Sequence, residues 1–219
     1  KKFNLKKTLI IPNAIEEYPI TKSTSLKKEL QITKKWPIIL SVANFRKQKD
    51  IATTLKAVAK ICQTTPVYYL HAGSGNKYEN ETSKCLDLIK ELKIEDNVKI
   101  LGHRSDIKEL LEIANIWTYS TLFEGQSNAL LQAMYHAKPI VCTNIAENNE
   151  VARNNIESLQ FKPKDFKKQA NLILKLIEDK KQAKKIGQNA KKRVKNIFTL
   201  QKQIKQTIKL YEELLNVRN

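Results

Sequence analysis

Short apolar runs, each followed by a helical pattern, constrain this chain more than any other feature of its sequence. Ile38–Val42, Val67–Ala72, Val98–Leu101, Ile116–Ser120 (within an apolar stretch that starts at Ile113) and Pro139–Thr143 show almost no polar alternation. Strands that are apolar at every position are buried on both faces, which requires a parallel sheet covered by helices on each side. Helical patterns lie between them, over about 50–61, 80–92, 107–112 and 127–136, with a short one near Asn149. The order predicts βαβ units and an α/β, Rossmann-like, doubly wound parallel sheet. After Phe161 the apolar residues recur every three or four positions as far as Leu215, which predicts three helices with breaks near Lys180 and Phe198, forming a C-terminal helical layer. At the other end, Thr8–Ile11 reads as a strand running into the polar turn at Pro12-Asn13. The expected organisation is residues 1–20 as a passage with its leading strand, 21–197 as the Rossmann-like domain and 198–219 as the C-terminal helix.

At 219 residues and 41% hydrophobic content the chain can bury one large core. No run of about 18 apolar residues is present, so no membrane-spanning helix is expected. The start, Lys1 to Lys7, has charge but no apolar signal-peptide core, and the lack of an initiator Met suggests residues upstream. Cys62, Cys85 and Cys142 are scattered and unlike any metal spacing, which fits reduced thiols and a cytoplasmic location. The net charge of +18 is densest from Lys162 to Lys195, where thirteen Lys and Arg face three acidic residues. Those lysines alternate with Leu172, Ile173, Leu176, Ile177 and Ile186, the pattern of solvated amphipathic helices. Peripheral contact with an anionic membrane, at its inner face, is the second reading. A nucleic-acid partner is not expected, because neither an RNP-like aromatic motif nor a zinc finger accompanies the charge.

In a doubly wound sheet the ligand sits beyond the carboxyl ends of the strands, so the loops there are the candidate site. The loop after Ile116–Ser120 carries Glu124, Gly125, Gln126, Ser127 and Asn128 and opens a helix. A helix N-terminus offers unpaired N–H groups to phosphate or sugar oxygens, and Ser127 reads equally as an N-cap or a ligand contact. Gln132 lies two turns along the helix from Glu124, so that both would face one ligand. The loop after the first central strand, Ala43 to Asp50, holds Arg46, Lys47 and Lys49 just ahead of a helix, which suits a diphosphate. His71-Ala72-Gly73-Ser74-Gly75 is a strand-to-helix turn whose glycines permit a tight bend, mainly a structural role. His103 and Arg104, in Leu101–Asp106, border the same edge, whereas His136 reads as structural.

These segments resemble the retaining glycosyltransferases of the large family 4, which have the GT-B fold. There a strand ends in Ser-x-x-x-Glu-Gly and a second Glu follows eight residues after the first, before Ala-Met; here the two positions are Glu124 and Gln132. The basic loop is similar to the family's Gly-Arg-x-x-x-x-Lys-Gly, with Lys49 in the Lys position; Ala43, Asn44 and Asp50 replace Gly, Arg and Gly, leaving Arg46 as the substitute cation. Leu101–Asp106 resembles the family's Leu-Gly-x-x-x-Asp turn, and Pro12-Asn13-Ala14 its interdomain passage. The resemblance implies a donor-binding half, with the N-terminal acceptor domain absent from this chain. It implies Glu124 as the catalytic-site carboxylate at the donor sugar, Arg46 and Lys49 at the leaving diphosphate, Gly75 and His103 at the nucleotide, and the 125–128 amides as donors. The implied substrate is a nucleoside-diphosphate sugar with a saccharide or lipid-linked acceptor, and neither a cofactor nor a metal is implied. At Gln132 the family's Glu accepts from both ribose hydroxyls; the amide loses a charge-assisted bond, about 1–2 kcal/mol or on the order of tenfold in affinity. A sugar-nucleotide epimerase half and a non-catalytic module with a degenerate site are the alternatives.

Overall fold

A computed structural model of the chain describes residues 9–19, 25–75 and 80–216. The basic start, Thr8 of the expected first strand and the residues after Gly75 in its turn lie outside the described residues. Six parallel strands form one sheet, β1 (Ile38–Val42), β2 (Tyr68–Ala72), β3 (Val98–Gly102), β4 (Ile116–Tyr119), β5 (Ile140–Thr143) and β6 (Leu159–Phe161). Their spatial order is β3-β2-β1-β4-β5-β6. The order runs outward in both directions from the β1/β4 pair, where Ile39 faces Ile116 and Leu40 faces Trp117. At that reversal the crossovers leave to opposite sides and open a crevice at the carboxyl edge.

Alternating strand residues build two separate cores, as a parallel sheet covered on both faces requires. Ile38 and Leu40 point to one side with Trp117, Tyr119, Ile140 and Cys142, covered by α4 (Ile107–Ile113) and α5 (Asn128–Tyr135). Ile39 points to the other with Tyr69, Ile116 and Val141, covered by α2 (Ile51–Cys62), α3 (Glu81–Glu91) and α7 (Phe166–Glu178). Helix α8 (Lys180–Ile197) ties the layers together: Ala183 and Ile186 join the second core, Ala190 and Val194 the first. The three C-terminal helices are α7, α8 and α9 (Leu200–Asn216), with breaks at Asp179 and Phe198 to Thr199. The remaining helices, α1 (Leu26–Glu29) and α6 (Ala146–Val151), are short.

The structure corrects the sequence reading in three places. Residues 9–14 form no strand: no strand among the described residues supplies ladder partners, Leu9 and Ile10 are exposed, and the segment is held through Asn13, which bonds to the Gln126 side chain, and Ile15, whose N–H donates to the Phe198 carbonyl at 2.9 Å. Ile113 ends α4, so the apolar stretch 113–119 is a helix end followed by a strand. The edge strand β6 follows a turn held by the Arg153–Glu157 ion pair, and its three residues are too few to show a period.

Candidate functional site

A cleft of about 420 Å³ opens at the carboxyl ends of β1 to β4. Arg46 and Lys49 enter it from the loop after β1, His103 and Arg104 from the loop after β3, and Glu124 and Gln126 to Asn128 from the loop before α5. Backbone bonds lock these loops together. The Ala43 N–H donates to the Ala72 carbonyl at 3.0 Å, Phe45 to Ser74 at 2.9 Å and Gly73 to Gly102 at 2.8 Å. Gly73 sits so near β1 that a Cβ there would lie 1.9 Å from the Ala43 oxygen, so glycine is required by close backbone approach.

The centre of the cleft is an ion pair between the Lys49 Nζ and a Glu124 carboxylate oxygen, with side chains only 17% and 9% exposed. The Gln48 carbonyl holds the two loops in place, accepting from the Leu122 N–H at 2.8 Å and the Thr121 hydroxyl at 3.1 Å. A buried polar chain backs this contact: Ser120 meets Thr54 at 3.1 Å, and Gln169 donates to Thr54 and Thr118 at 3.0 Å each. Lys49 is followed by Asp50 with φ of +43°, a left-handed conformation uncommon for a non-glycine residue. Its carboxylate accepts from the Thr53 hydroxyl at 2.7 Å, the local bond that lets Asp tolerate this geometry.

Helix α5 aims its N-terminus at the cleft, and the Ser127 hydroxyl oxygen accepts from the Leu130 N–H at 3.3 Å, so Ser127 acts as the N-cap. The Gln126 side chain, at the edge of the cleft, clasps the passage: it accepts from the Asn13 N–H at 2.6 Å and donates to the Asn13 carbonyl at 3.3 Å. Arg104 is committed to Asp106 at 2.6 and 2.7 Å and to Glu29 at 2.9 Å, which raises its pKa further; its charge is already neutralised. Arg46 is exposed, with no ion pair among the described residues, and His103 is exposed at the rim. Gly75 and Gly125 do not line the cleft. A Cβ at Gly75 would meet the Thr82 hydroxyl at 2.7 Å, while one at Gly125 would meet open space.

Gln132 departs most from expectation. It does not share the Glu124 cleft but lines a second recess of about 270 Å³ with Ala14, Ile15, Glu16, Tyr18 and Lys108; Asn128 borders both. Gln132 is the fourth residue after Asn128, so the two lie on one helix face about 6 Å apart along the axis. Sequence reasoning also missed Asn44, whose side-chain oxygen takes the Ser74 N–H at 3.0 Å, and Gly73 as the indispensable glycine. For Asn44 the only available signal was its place in the basic loop.

Two histidines are structural. His71 is fully buried against Phe45, 4.6 Å between ring centres, with Nδ1 3.1 Å from the Tyr69 hydroxyl; burial lowers its pKa to about 4. His136 lies between Glu112 at 2.7 Å and the Tyr18 hydroxyl at 2.9 Å, and burial lowers its pKa despite the carboxylate. Among the described residues no group of three or more His, Cys, Asp or Glu side chains is arranged to hold a metal ion.

Residues 22–193 match the family model of the glycosyl transferases group 1. The chain is 28% identical over 192 residues to the N-acetyl-alpha-D-glucosaminyl L-malate synthase of Bacillus anthracis, covering 88% of this chain and 49% of that protein. It is 30% identical over 169 residues to the N,N'-diacetylbacillosaminyl-diphospho-undecaprenol alpha-1,3-N-acetylgalactosaminyltransferase of Campylobacter jejuni, covering 74% and 41%. A crystal structure of a glycosyltransferase from Rickettsia africae superposes with a TM-score of 0.82 at 25% identity, covering 87% of this chain and 51% of that one. The chain thus spans about half the length, or less, of these relatives.

Proposed function

The chain belongs to the group 1 glycosyltransferases, and from that premise we propose that its cleft is the donor site of a retaining enzyme that transfers a sugar from a nucleoside diphosphate to a saccharide or lipid-linked acceptor. The observation that carries this reading is the Lys49–Glu124 pair in front of the α5 N-terminus. One cation, one carboxylate and a set of free N–H groups meet there, which are the groups needed to hold a diphosphate on one side and sugar hydroxyls on the other. In the structure each charge of the pair satisfies the other. The donor replaces both halves of the contact: its diphosphate takes the Lys49 ammonium and its sugar hydroxyls donate to Glu124.

As the glycosidic bond to the diphosphate breaks, negative charge grows on the leaving oxygens. Lys49, Arg46 and the α5 N-terminus stabilise it from fixed positions, without reorganisation of the loops. The acceptor site belongs, in this reading, to a further half; the relatives' lengths and the exposed Leu9 and Ile10 support it. The Campylobacter relative's name records a lipid-linked acceptor and an alpha linkage, in line with the proposed acceptor class. The exposed lysines of α7 and α8 fit peripheral contact with an anionic surface, and no helix among the described residues is long and apolar enough to cross a membrane.

Titration of the 219-residue chain with UDP, GDP and ADP tests the donor site. One of them is expected to shift the amide resonances of residues 125–128; no shift at about 1 mM of any refutes it. Product analysis of the full-length protein, reading the anomeric configuration of the new linkage, tests retention.

A further inference from the structure

One flank of the domain carries a recess that the donor site does not use. It measures about 310 Å³ and lies between α8 and the turn at 153–158 that leads into β6. It shares no lining residue with the donor cleft, and β6 is the edge strand, so an occupant there leaves the cleft open. Two large apolar side chains border it, Ile156 in the turn and Ile197 at the end of α8, each 41% exposed. Both are held firmly in place. The Ile156 carbonyl accepts from the Asn189 side chain at 3.1 Å, and Arg153 fixes the turn by donating to the buried Glu157 carboxylate at 3.0 Å. Arg193 donates from Nε to the Val151 carbonyl and from Nη2 to the Glu150 carbonyl, at 2.8 Å each. Neutral carbonyls do not cancel its charge. With Lys192 the recess therefore keeps two cations beside the balanced Arg153–Glu157 pair.

Helix α8 carries seven Lys and one Arg over its 18 residues and no acidic residue, and of these only Lys195 forms an ion pair among the described residues. A helix of that length spans about 27 Å, so its positive field extends past any one small ligand and matches an extended anionic surface. Isoleucines offer no flat ring on which a nucleic-acid base could stack. Apolar side chains set among cations suit the boundary between phosphate headgroups and acyl chains. We propose that this flank docks on an anionic lipid surface, with Ile156 and Ile197 entering the acyl boundary and Lys192 and Arg193 taking headgroup phosphates. The inference rests on the peripheral-contact reading and not on the donor site.

The test is co-sedimentation of the 219-residue chain with vesicles of phosphatidylcholine, alone and with about 30 mol% phosphatidylglycerol, at about 0.15 M salt. The chain is expected to bind the anionic vesicles only. Ile156→Ser combined with Ile197→Ser changes no charge and is expected to weaken that binding by about tenfold to thirtyfold. Ile156→Leu with Ile197→Leu, apolar at the same places, is expected to bind as the wild type does. Leu86→Ser removes a comparably exposed side chain, 44%, from α3 and is expected to leave binding unchanged. If the double serine variant binds anionic vesicles as well as the wild type, or if Leu86→Ser weakens binding equally, insertion of the two isoleucines is overturned while the charge contact stands. If light scattering without vesicles finds oligomers that the double serine variant dissolves, the pair belongs to a contact between copies and the inference fails. If the wild-type chain binds neither vesicle, the peripheral-contact reading falls and this inference with it.

Discussion

Glu124→Gln separates two roles that the Lys49–Glu124 pair combines. Two unit charges about 4 Å apart at an effective dielectric near 20 attract by about 4 kcal/mol. Desolvation and immobilisation offset most of that for side chains this enclosed, leaving a net coupling of about 1–2 kcal/mol. A nucleoside diphosphate without a sugar must break the pair to reach Lys49 and gives Glu124 nothing in return. Removing the carboxylate charge with an isosteric amide therefore releases Lys49 and raises the affinity for the free diphosphate by about fivefold to thirtyfold. The intact donor gains less, because its sugar hydroxyls lose a charged acceptor. Lys49→Met works the other way: it leaves Glu124 enclosed without its cation, costs about 2 kcal/mol of stability, and weakens both ligands. Calorimetric titration of the three proteins with diphosphate and donor reads all of these. If Glu124→Gln binds the free diphosphate no better than the wild type, the reasoning that the pair competes with the ligand is wrong.

Gln132→Glu provides a charged acceptor on the α5 face beside the cleft and should raise nucleoside-diphosphate affinity by up to about tenfold; an unchanged affinity in calorimetric titration would place Gln132 outside the nucleotide site. His71 is neutral in the folded chain down to about pH 4, whereas the unfolded chain takes up that proton near 6.5. The unfolded state binds more protons in between, so stability should fall by about 3 kcal/mol from pH 6.5 to 4, with His136 adding in the same direction. Urea unfolding of His71→Phe should show a shallower slope across that window. Gly73→Ala drives a methyl into the Ala43 carbonyl and should cost at least about 2 kcal/mol, read as a lower Tm, while Gly125→Ala meets open space and should leave Tm within about 1 °C.

The sheet was legible because burial on both faces leaves a direct trace. Ile38–Val42 and Val67–Ala72 read as strands from composition alone, and both are. What escaped was whatever depends on partners remote in sequence. Thr8–Ile11 has strand composition, yet no neighbour pairs with the described part of it, and β6 has too few residues for a pattern and is recruited by pairing with β5. In the site, Lys49, Glu124 and the α5 N-terminus were readable as groups at strand ends. Their mutual ion pair was not, because 75 residues separate them. The Gln132 recess was missed for a similar reason. A spacing of eight residues fixes the helix face, but the passage that forms the opposite wall comes from residues 14–18.

The clasp between Gln126 and Asn13 has a thermodynamic consequence. Gln126 lies in the loop whose amides face the donor in the proposed site, and Asn13 lies in the passage. Passage placement and donor occupancy are therefore linked variables of one equilibrium, and linkage is reciprocal. Whatever factor a bound donor contributes towards holding the passage, a held passage returns as the same factor in donor affinity. Loosening the clasp with Gln126→Ala shrinks that factor from both ends at once, so a protease cutting within residues 9–14 and a calorimeter titrating nucleotide would report one number.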